Sequence, residues 1–176
     1  MKVALVGLGN VLMGDDGFGP YVIETLRAGW EFDPAVSLED LGTPGLDLTP
    51  HITGVDALLL VDTVHAAGLP GELRLYRGEQ MFQHAPPPRL SPHDPGVHEA
   101  LLIARFAGQD PGQLLLVGAI PFNTRTGPGL SPALRAAVPA AVEAVLAELQ
   151  RLGLPARPRP RPEPVRAWWE APPAPA

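Results

Sequence analysis

Three short stretches of the chain are apolar at every position: Val3-Ala4-Leu5-Val6, Ala57-Leu58-Leu59-Leu60-Val61 and Leu114-Leu115-Leu116-Val117. Continuous runs of this length, bounded by glycine or a polar residue, predict strands covered on both faces. Two further stretches alternate. Val36 and Leu38, with Asp40 beyond them, predict a short second strand, and Leu73 and Leu75 against Arg74 and Tyr76 predict a strand nearer an edge. Helical signals lie between. Pro20 opens a helix to about residue 28, since proline is tolerated in a first turn. Thr43, as a cap before Pro44, begins a short helix bearing Leu46 and Leu48. Ser91-Pro92 leads into a helix through Val97 to about residue 106, and Ser131-Pro132 caps a last helix ending at Gly153. Pro139 inside that helix predicts a kink or a broken first turn. Strands separated by helices imply βαβ units. The predicted fold class is therefore α/β: a single domain with a mostly parallel twisted sheet of about five strands and helices on both faces. No internal repeat is detectable.

Composition changes this picture at one end. The chain of 176 residues holds 23 prolines, and eight of them crowd into residues 155–176, interleaved with Arg157, Arg159, Arg161 and Arg166. That spacing places a boundary near Gly153. Residues 1–153 form the α/β domain, and residues 154–176 are expected to be a disordered, extended and solvated tail without a packed core. A net charge of -6 argues against general affinity for nucleic acid or anionic membrane. There is no cysteine, which removes disulfides, thiolate metal sites and cysteine nucleophiles together. The first apolar run is far too short for a spanning helix or signal core, so the cytoplasm is the expected location.

In open parallel sheets, chemistry sits beyond the carboxyl ends of the strands. The first strand there runs through Gly7-Leu8-Gly9-Asn10 to Asp15-Asp16-Gly17, and the third ends at Asp62. A dinucleotide site is disfavoured, because bulky Leu12 stands where a third glycine belongs and two carboxylates would repel a phosphate at the helix start. Either aspartate could cap that helix. One suffices, so Asp15 is assigned the structural role and Asp16 is expected to face the cleft. Asp62 is equally readable as a turn residue or a functional one. Of five histidines, His51, His65 and His84 have no motif around them, and His98 has the wrong spacing to pair with His93 on a helix. His93, in Ser91-Pro92-His93-Asp94, is of the residue type that most often serves as a metal ligand or general base. No Gly-x-Ser-x-Gly elbow supports a serine triad.

These residues carry a resemblance. Gly-Leu-Gly-Asn-Val-Leu-Met-Gly-Asp-Asp-Gly-Phe-Gly at residues 7–19 looks like the opening signature of the nickel–iron hydrogenase maturation endopeptidases. Asp40-Leu41-Gly42-Thr43-Pro44-Gly45, Leu60-Val61-Asp62 and Ser91-Pro92-His93 match later motifs in order, as do Leu116-Val117-Gly118 with Ile120-Pro121 and Gly129-Leu130-Ser131-Pro132. The resemblance covers residues 1–153. It implies removal of a C-terminal extension from a nickel-loaded hydrogenase large-subunit precursor. It also implies three metal-binding and catalytic side chains, which by motif position are Asp16, Asp62 and His93. The family also uses glutamate at the first of these positions; Asp16 is one methylene shorter. Two carboxylates and an imidazole suit a borderline divalent metal while leaving positions open. The nickel is expected to be brought by the substrate as a recognition signal. The Gly42-Thr43-Pro44-Gly45 loop is expected either to help bind the extension or to be a simple turn. The competing functions are a non-catalytic module that checks nickel loading and a nucleotide-dependent oxidoreductase. A monomer is expected, with the precursor as its partner.

Overall fold

The three continuous apolar runs become the middle of one sheet, as their lack of a polar face requires. The structure, a computed structural model, describes residues 1–83 and 96–170. In chain order its elements are β1 (Val3–Leu8), α1 (Phe18–Gly29), β2 (Trp30–Glu31), β3 (Val36–Gly42), α2 (Thr49–Ile52), β4 (Ala57–Thr63), β5 (Leu73–Arg77), α3 (Gln80–Gln83), α4 (Gly96–Phe106), β6 (Gln113–Ala119), α5 (Pro132–Arg151) and β7 (Arg157–Pro158). Short 3-10 turns cover Gly14–Gly17, Gly45–Leu48 and Trp168–Glu170. The main sheet has the order β3-β1-β4-β6-β5. Leu5 of β1 lies between Leu38 of β3 and Leu59 of β4, and Leu59 in turn pairs with Leu115 of β6, all in parallel.

Strand β5 is the exception, running antiparallel to β6 at the edge. No helix separates β4 from β5, so the chain has no crossover with which to re-enter the sheet in parallel. Alternate side chains of the central strands feed two cores. Val3, Leu5, Leu59, Val61 and Val117 pack under α1 and α5. Ala4, Val6, Leu58, Leu60 and Leu116 pack under α2 and α4, against Leu48, Ile52, Val97 and Leu101. The predicted single α/β domain with helices on both faces is the one observed.

Local details follow the capping rules with some departures. The Ser131 side chain accepts the Leu134 N–H at the start of α5, and Gly153, at φ +79, turns the chain after its end. Helix α5 continues through Pro139. That residue is exposed, so the carbonyl deprived of a donor faces water. The expected Thr43-capped helix is a 3-10 turn running into α2. Ser91 and Pro92 lie outside the described residues, and α4 is described from Gly96. Buried Glu148 ties α5 to the edge strand, bonded by Arg77 at 2.5 Å and Arg151 at 2.7 Å. Burial pushes its carboxyl upward, but the two arginine hydrogen bonds prevail and hold it below the ordinary range.

The expectation of a separate solvated tail is corrected for residues 154–170. The segment is extended, as its prolines require, yet it packs on the domain. Its β7 pairs antiparallel with β2. The non-proline residues supply donors to the open end of α1: Arg159 Nε to Arg27 O at 3.2 Å, Glu163 N to Ala28 O at 2.9 Å and Arg159 N to Gly29 O at 2.8 Å. These are carbonyls that a helix end leaves without internal partners. Trp169 is 6% exposed and joins the α1–α5 core, edge-on to Tyr21 with ring centroids 5.8 Å apart. Glu170 accepts from the Tyr21 hydroxyl at 2.5 Å and from Arg135 at 2.6 Å. Composition registers the prolines, and the Trp168-Trp169 pair reads at most as a docking motif, because two adjacent tryptophans show no periodicity that would assign one of them to the core. Residues 171–176 lie outside the described residues. Among the described residues no helix is long and apolar enough to cross a membrane.

Replacing Trp169 by Ala should cost about 3–5 kcal/mol of folding stability, the usual loss for a buried aromatic. Urea unfolding checks this, and an unchanged midpoint would mean that the segment does not belong to the cooperative core.

Candidate functional site

The carboxyl ends of β1 and β6 open into loops 9–17 and 120–131, which are laced together by their backbones. Gly127 donates to Leu12 O at 2.9 Å, Gly14 to Gly127 O at 2.7 Å and Asp15 to Asn123 O at 3.1 Å. The Asp15 side chain completes the join. Fully buried, it accepts from the amides of Phe122 (2.8 Å), Asn123 (3.1 Å) and Ser131 (2.6 Å), and from the Ser131 hydroxyl (2.9 Å). Asp15 is thus structural, as expected, but by another means. It does not cap α1, whose N-cap is Gly17 with no side-chain cap bond.

Asp16 points elsewhere. It is 7% exposed; one carboxylate oxygen accepts the Asn10 amide at 2.9 Å, and the other faces the Thr63 hydroxyl at 3.4 Å. Burial raises its proton affinity above the ordinary aspartate value. The hydrogen bonds from Asn10 and Thr63 and the nearby His65 oppose that rise without cancelling it. Gly9 makes this geometry possible. At φ +126 it passes so close to the Asp16 carbonyl that any Cβ would collide with it. Gly19 does the same at the start of α1, where a Cβ would meet the carbonyls of Leu8 and Val61. The helix therefore sits directly on β1 and β4 and delivers Asp16 to Thr63.

Asp62 is buried on β4, one residue before the strand ends, and accepts the Thr63 amide at 2.6 Å. Thr63 consequently touches both carboxylates, one through its hydroxyl and one through its backbone. Sequence reasoning identified the two acids and overlooked Thr63 and Asn10, which orient them. An Asp-Thr pair closing an apolar strand was the available signal. His65, three residues beyond Asp62, also lacked a motif, yet it stands close enough to Asp16 to act on its charge.

The third expected site residue, His93, lies outside the described residues, as does His84. Among the described residues no group of three His, Asp or Glu side chains is arranged to hold a metal. His51 pairs with Glu39 at 2.6 Å, and His98 is exposed on α4. The glycine-rich loop offers no cradle for a phosphate. Its amides are used internally: Gly9 N to Gly42 O, Asn10 N to Asp16, Leu12 N to the Asn10 side chain and Met13 N to Asn10 O. The bond from Gly9 also fastens the Gly42-Thr43-Pro44-Gly45 segment to this same edge.

The arrangement joins a rigid frame to one carboxylate with raised proton affinity beside a second, buried one. Such a pair can accept and return a proton at a site screened from bulk water. The two adjacent acids should separate on substitution. Asp15→Asn turns an amide donor toward donors and should cost about 3 kcal/mol. Asp16→Asn should stabilise the protein near neutral pH by about 1 kcal/mol, by removing a buried charge that meets only one amide and a distant hydroxyl. The sign follows from the raised proton affinity. The folded state binds the Asp16 proton more tightly than the unfolded chain, so this contribution is full at low pH. It is lost as pH climbs through the raised folded value. Thermal unfolding of both variants from pH 4 to 8 measures this, and equal losses for the two would contradict the division of roles.

Known proteins share the sequence pattern and the fold of this chain. Residues 20–148 match the family described as hydrogenase maturation protease. The hydrogenase expression/formation protein HoxM of Cupriavidus necator is 38% identical over 152 residues, which span 86% of this chain and 75% of that protein. The hydrogenase maturating endopeptidase HybD from E. coli superposes with a TM-score of 0.83 at 32% identity, over 90% of this chain and 98% of its own. The [NiFe] hydrogenase maturation protease HybD from Thermococcus kodakarensis does so with a TM-score of 0.66 at 25% identity, over 86% and 99%.

Proposed function

Because the chain belongs to the hydrogenase maturation protease family, we propose that it removes the C-terminal extension of a nickel-loaded hydrogenase large-subunit precursor. Membership itself makes the chain a hydrolase, a processing endopeptidase of hydrogenase maturation. The bond cut, the subunit and the nickel signal are the further reading. Its main support is the convergence of Asp16 and Asp62 on Thr63 at the carboxyl edge of the sheet.

In this reading the nickel belongs to the substrate. Asp16, Asp62 and His93 offer oxygen and nitrogen donors and no thiolate, so they engage the metal without stripping it from softer ligands in the precursor. An empty precursor lacks this contact and docks weakly. Hydrolysis then needs a water oxygen to attack the scissile carbonyl carbon, loss of a proton from that water, and protonation of the departing amine as the C–N bond breaks. A carboxylate of the pair, Asp16 or Asp62, takes the first proton and returns it to the amine. The other keeps a second negative charge beside the site, and Asp62 is held rigid by its bond to the Thr63 amide. The protease acts in the cytoplasm as a monomer, the precursor supplying the large interface.

Incubation with nickel-loaded and nickel-free precursor, followed by mass spectrometry of the large subunit, tests this. Shortening of the loaded form alone is expected. Asp16→Asn, Asp62→Asn and His93→Ala should each lower the rate by at least about 100-fold while leaving the protein folded. Equal processing of both precursors would remove nickel from the reading, and normal processing by the Asp16 variant would sink the site assignment. Binding without a shortened product would favour a checkpoint role.

A further inference from the structure

Beyond the paired residues Thr63 and Ala119, β4 and β6 part and leave between them a surface cavity of about 430 Å³. Its floor contains Val64 and Ile120, both buried. Phe122 stands at its side, and His65, Asn123 and Thr124 complete the polar part of the lining. Among the described residues no Asp, Glu, Lys or Arg side chain lines it.

Phe122 is 68% exposed, although its backbone is firmly held. Its amide and that of Asn123 donate to the buried Asp15 carboxylate, and Asn123 O accepts the Asp15 amide. A fixed loop that keeps a phenyl ring in water at the edge where the chemistry lies has the character of a binding surface. The cavity lies near the acidic site: its lining includes His65, which stands close enough to Asp16 to act on its charge, and Phe122 and Asn123, whose amides hold the neighbouring Asp15. Neighbouring Cα atoms of a peptide are about 3.8 Å apart and successive side chains of an extended segment diverge. A peptide whose scissile carbonyl lies over Asp16 and Thr63 would have an adjacent side chain within reach of the His65 end of this cavity.

We propose that the cavity is the subsite for an uncharged, apolar side chain flanking the scissile bond of the precursor, and that Phe122 sets this preference. The inference rests on the peptidase reading above and adds a determinant of which sequences are cut. The floor is apolar and the nearest ionic groups, Arg74 against the Ala67 carbonyl and Glu72, are already paired with each other at 2.8 Å, so a charged residue gains no free partner there after desolvation. An aliphatic or aromatic side chain instead buries against Val64, Ile120 and the Phe122 ring.

The test compares wild type, Phe122→Ala and Phe122→Lys on the nickel-loaded precursor and on precursors carrying Glu at either residue flanking the cleavage point. Phe122→Ala should lower kcat/KM on the native precursor about tenfold, the effect of losing one apolar contact area. Glu at the flanking position that enters the subsite should lower wild-type processing about 100-fold, and Phe122→Lys should restore at least about tenfold of that loss. Since the ring is exposed, all three proteins should share one unfolding midpoint. Fluorescence anisotropy of precursor binding is recorded alongside and should show the same ranking, so the subsite is tested even if cleavage fails. Absence of any cut by wild type would count against the peptidase reading alone. Indifference of both cutting and binding to Phe122, or a Glu penalty that the Phe122→Lys variant leaves unchanged, would overturn the subsite.

Discussion

The carboxylate of Asp15 is the bond on which the carboxyl edge of this protein depends. Removing an anion from water is costly, and it is tolerated here because four donors from one loop surround it. Three of them are backbone amides, so the interaction fixes the path of the chain as well as its side chains. Loop 120–131 is thereby locked to the 3-10 turn that carries Asp16. The direction of the next side chain follows: with Asp15 turned inward against the loop, Asp16 is left to face Thr63. Adjacent residues of one type come to do different work because the chain has a single way to satisfy the first.

The rest of the fold supports that lock from two directions. At the start of α1, the absence of side chains at Gly9 and Gly19 lets helix and loop backbones press against β1 and β4. At its end, the proline-rich segment donates to the carbonyls of Arg27, Ala28 and Gly29. The same segment buries Trp169 on Tyr21, and Glu170 there accepts from Tyr21, Arg135 and the Leu130 amide. Leu130 precedes Ser131, one of the donors to Asp15. A charged residue near the end of the chain is thus one peptide unit away from the contact that orders the site.

Buried acids have different fates in this structure according to the donors they meet. Glu148 lies between two arginines, so its charge is favoured despite burial. Asp16 meets one amide and a distant hydroxyl, and burial prevails. The contrast is informative about role. Glu148 is satisfied and serves packing between α5 and the edge strand. Asp16 keeps a raised proton affinity at the carboxyl edge of the sheet, a condition in which a carboxylate can take part in proton transfer.

Strand identity, the two-sided core and the placing of Asp16 and Asp62 at one edge were legible in the sequence. They follow from local rules: continuous apolar runs can only be buried between two layers, and parallel strands present their carboxyl ends together. His93 was reached by motif resemblance, and its segment lies outside the described residues. Thr63, Asn10 and the environment of Phe122 were not legible, since each acts through a contact that no spacing rule encodes. Asn10 and Asp16 are six residues apart, but their bond depends on how a glycine loop folds back. Thr63 and Asp16 are 47 apart and meet because two elements pack on one sheet. The proline-rich segment shows the same limit. Its extended backbone is dictated locally by fixed φ and missing donors. That it would dock, with Trp169 in the core, was decided by the open helix end and apolar surface that the rest of the chain had already built. The sequence alone determined which strands belong to the middle and the edge of the sheet, because a continuous apolar run must be covered on both faces whatever its neighbours. Tertiary structure decided which carboxylate is locked into the frame and which is turned toward Thr63, because that choice depends on donors contributed by loops distant in the chain.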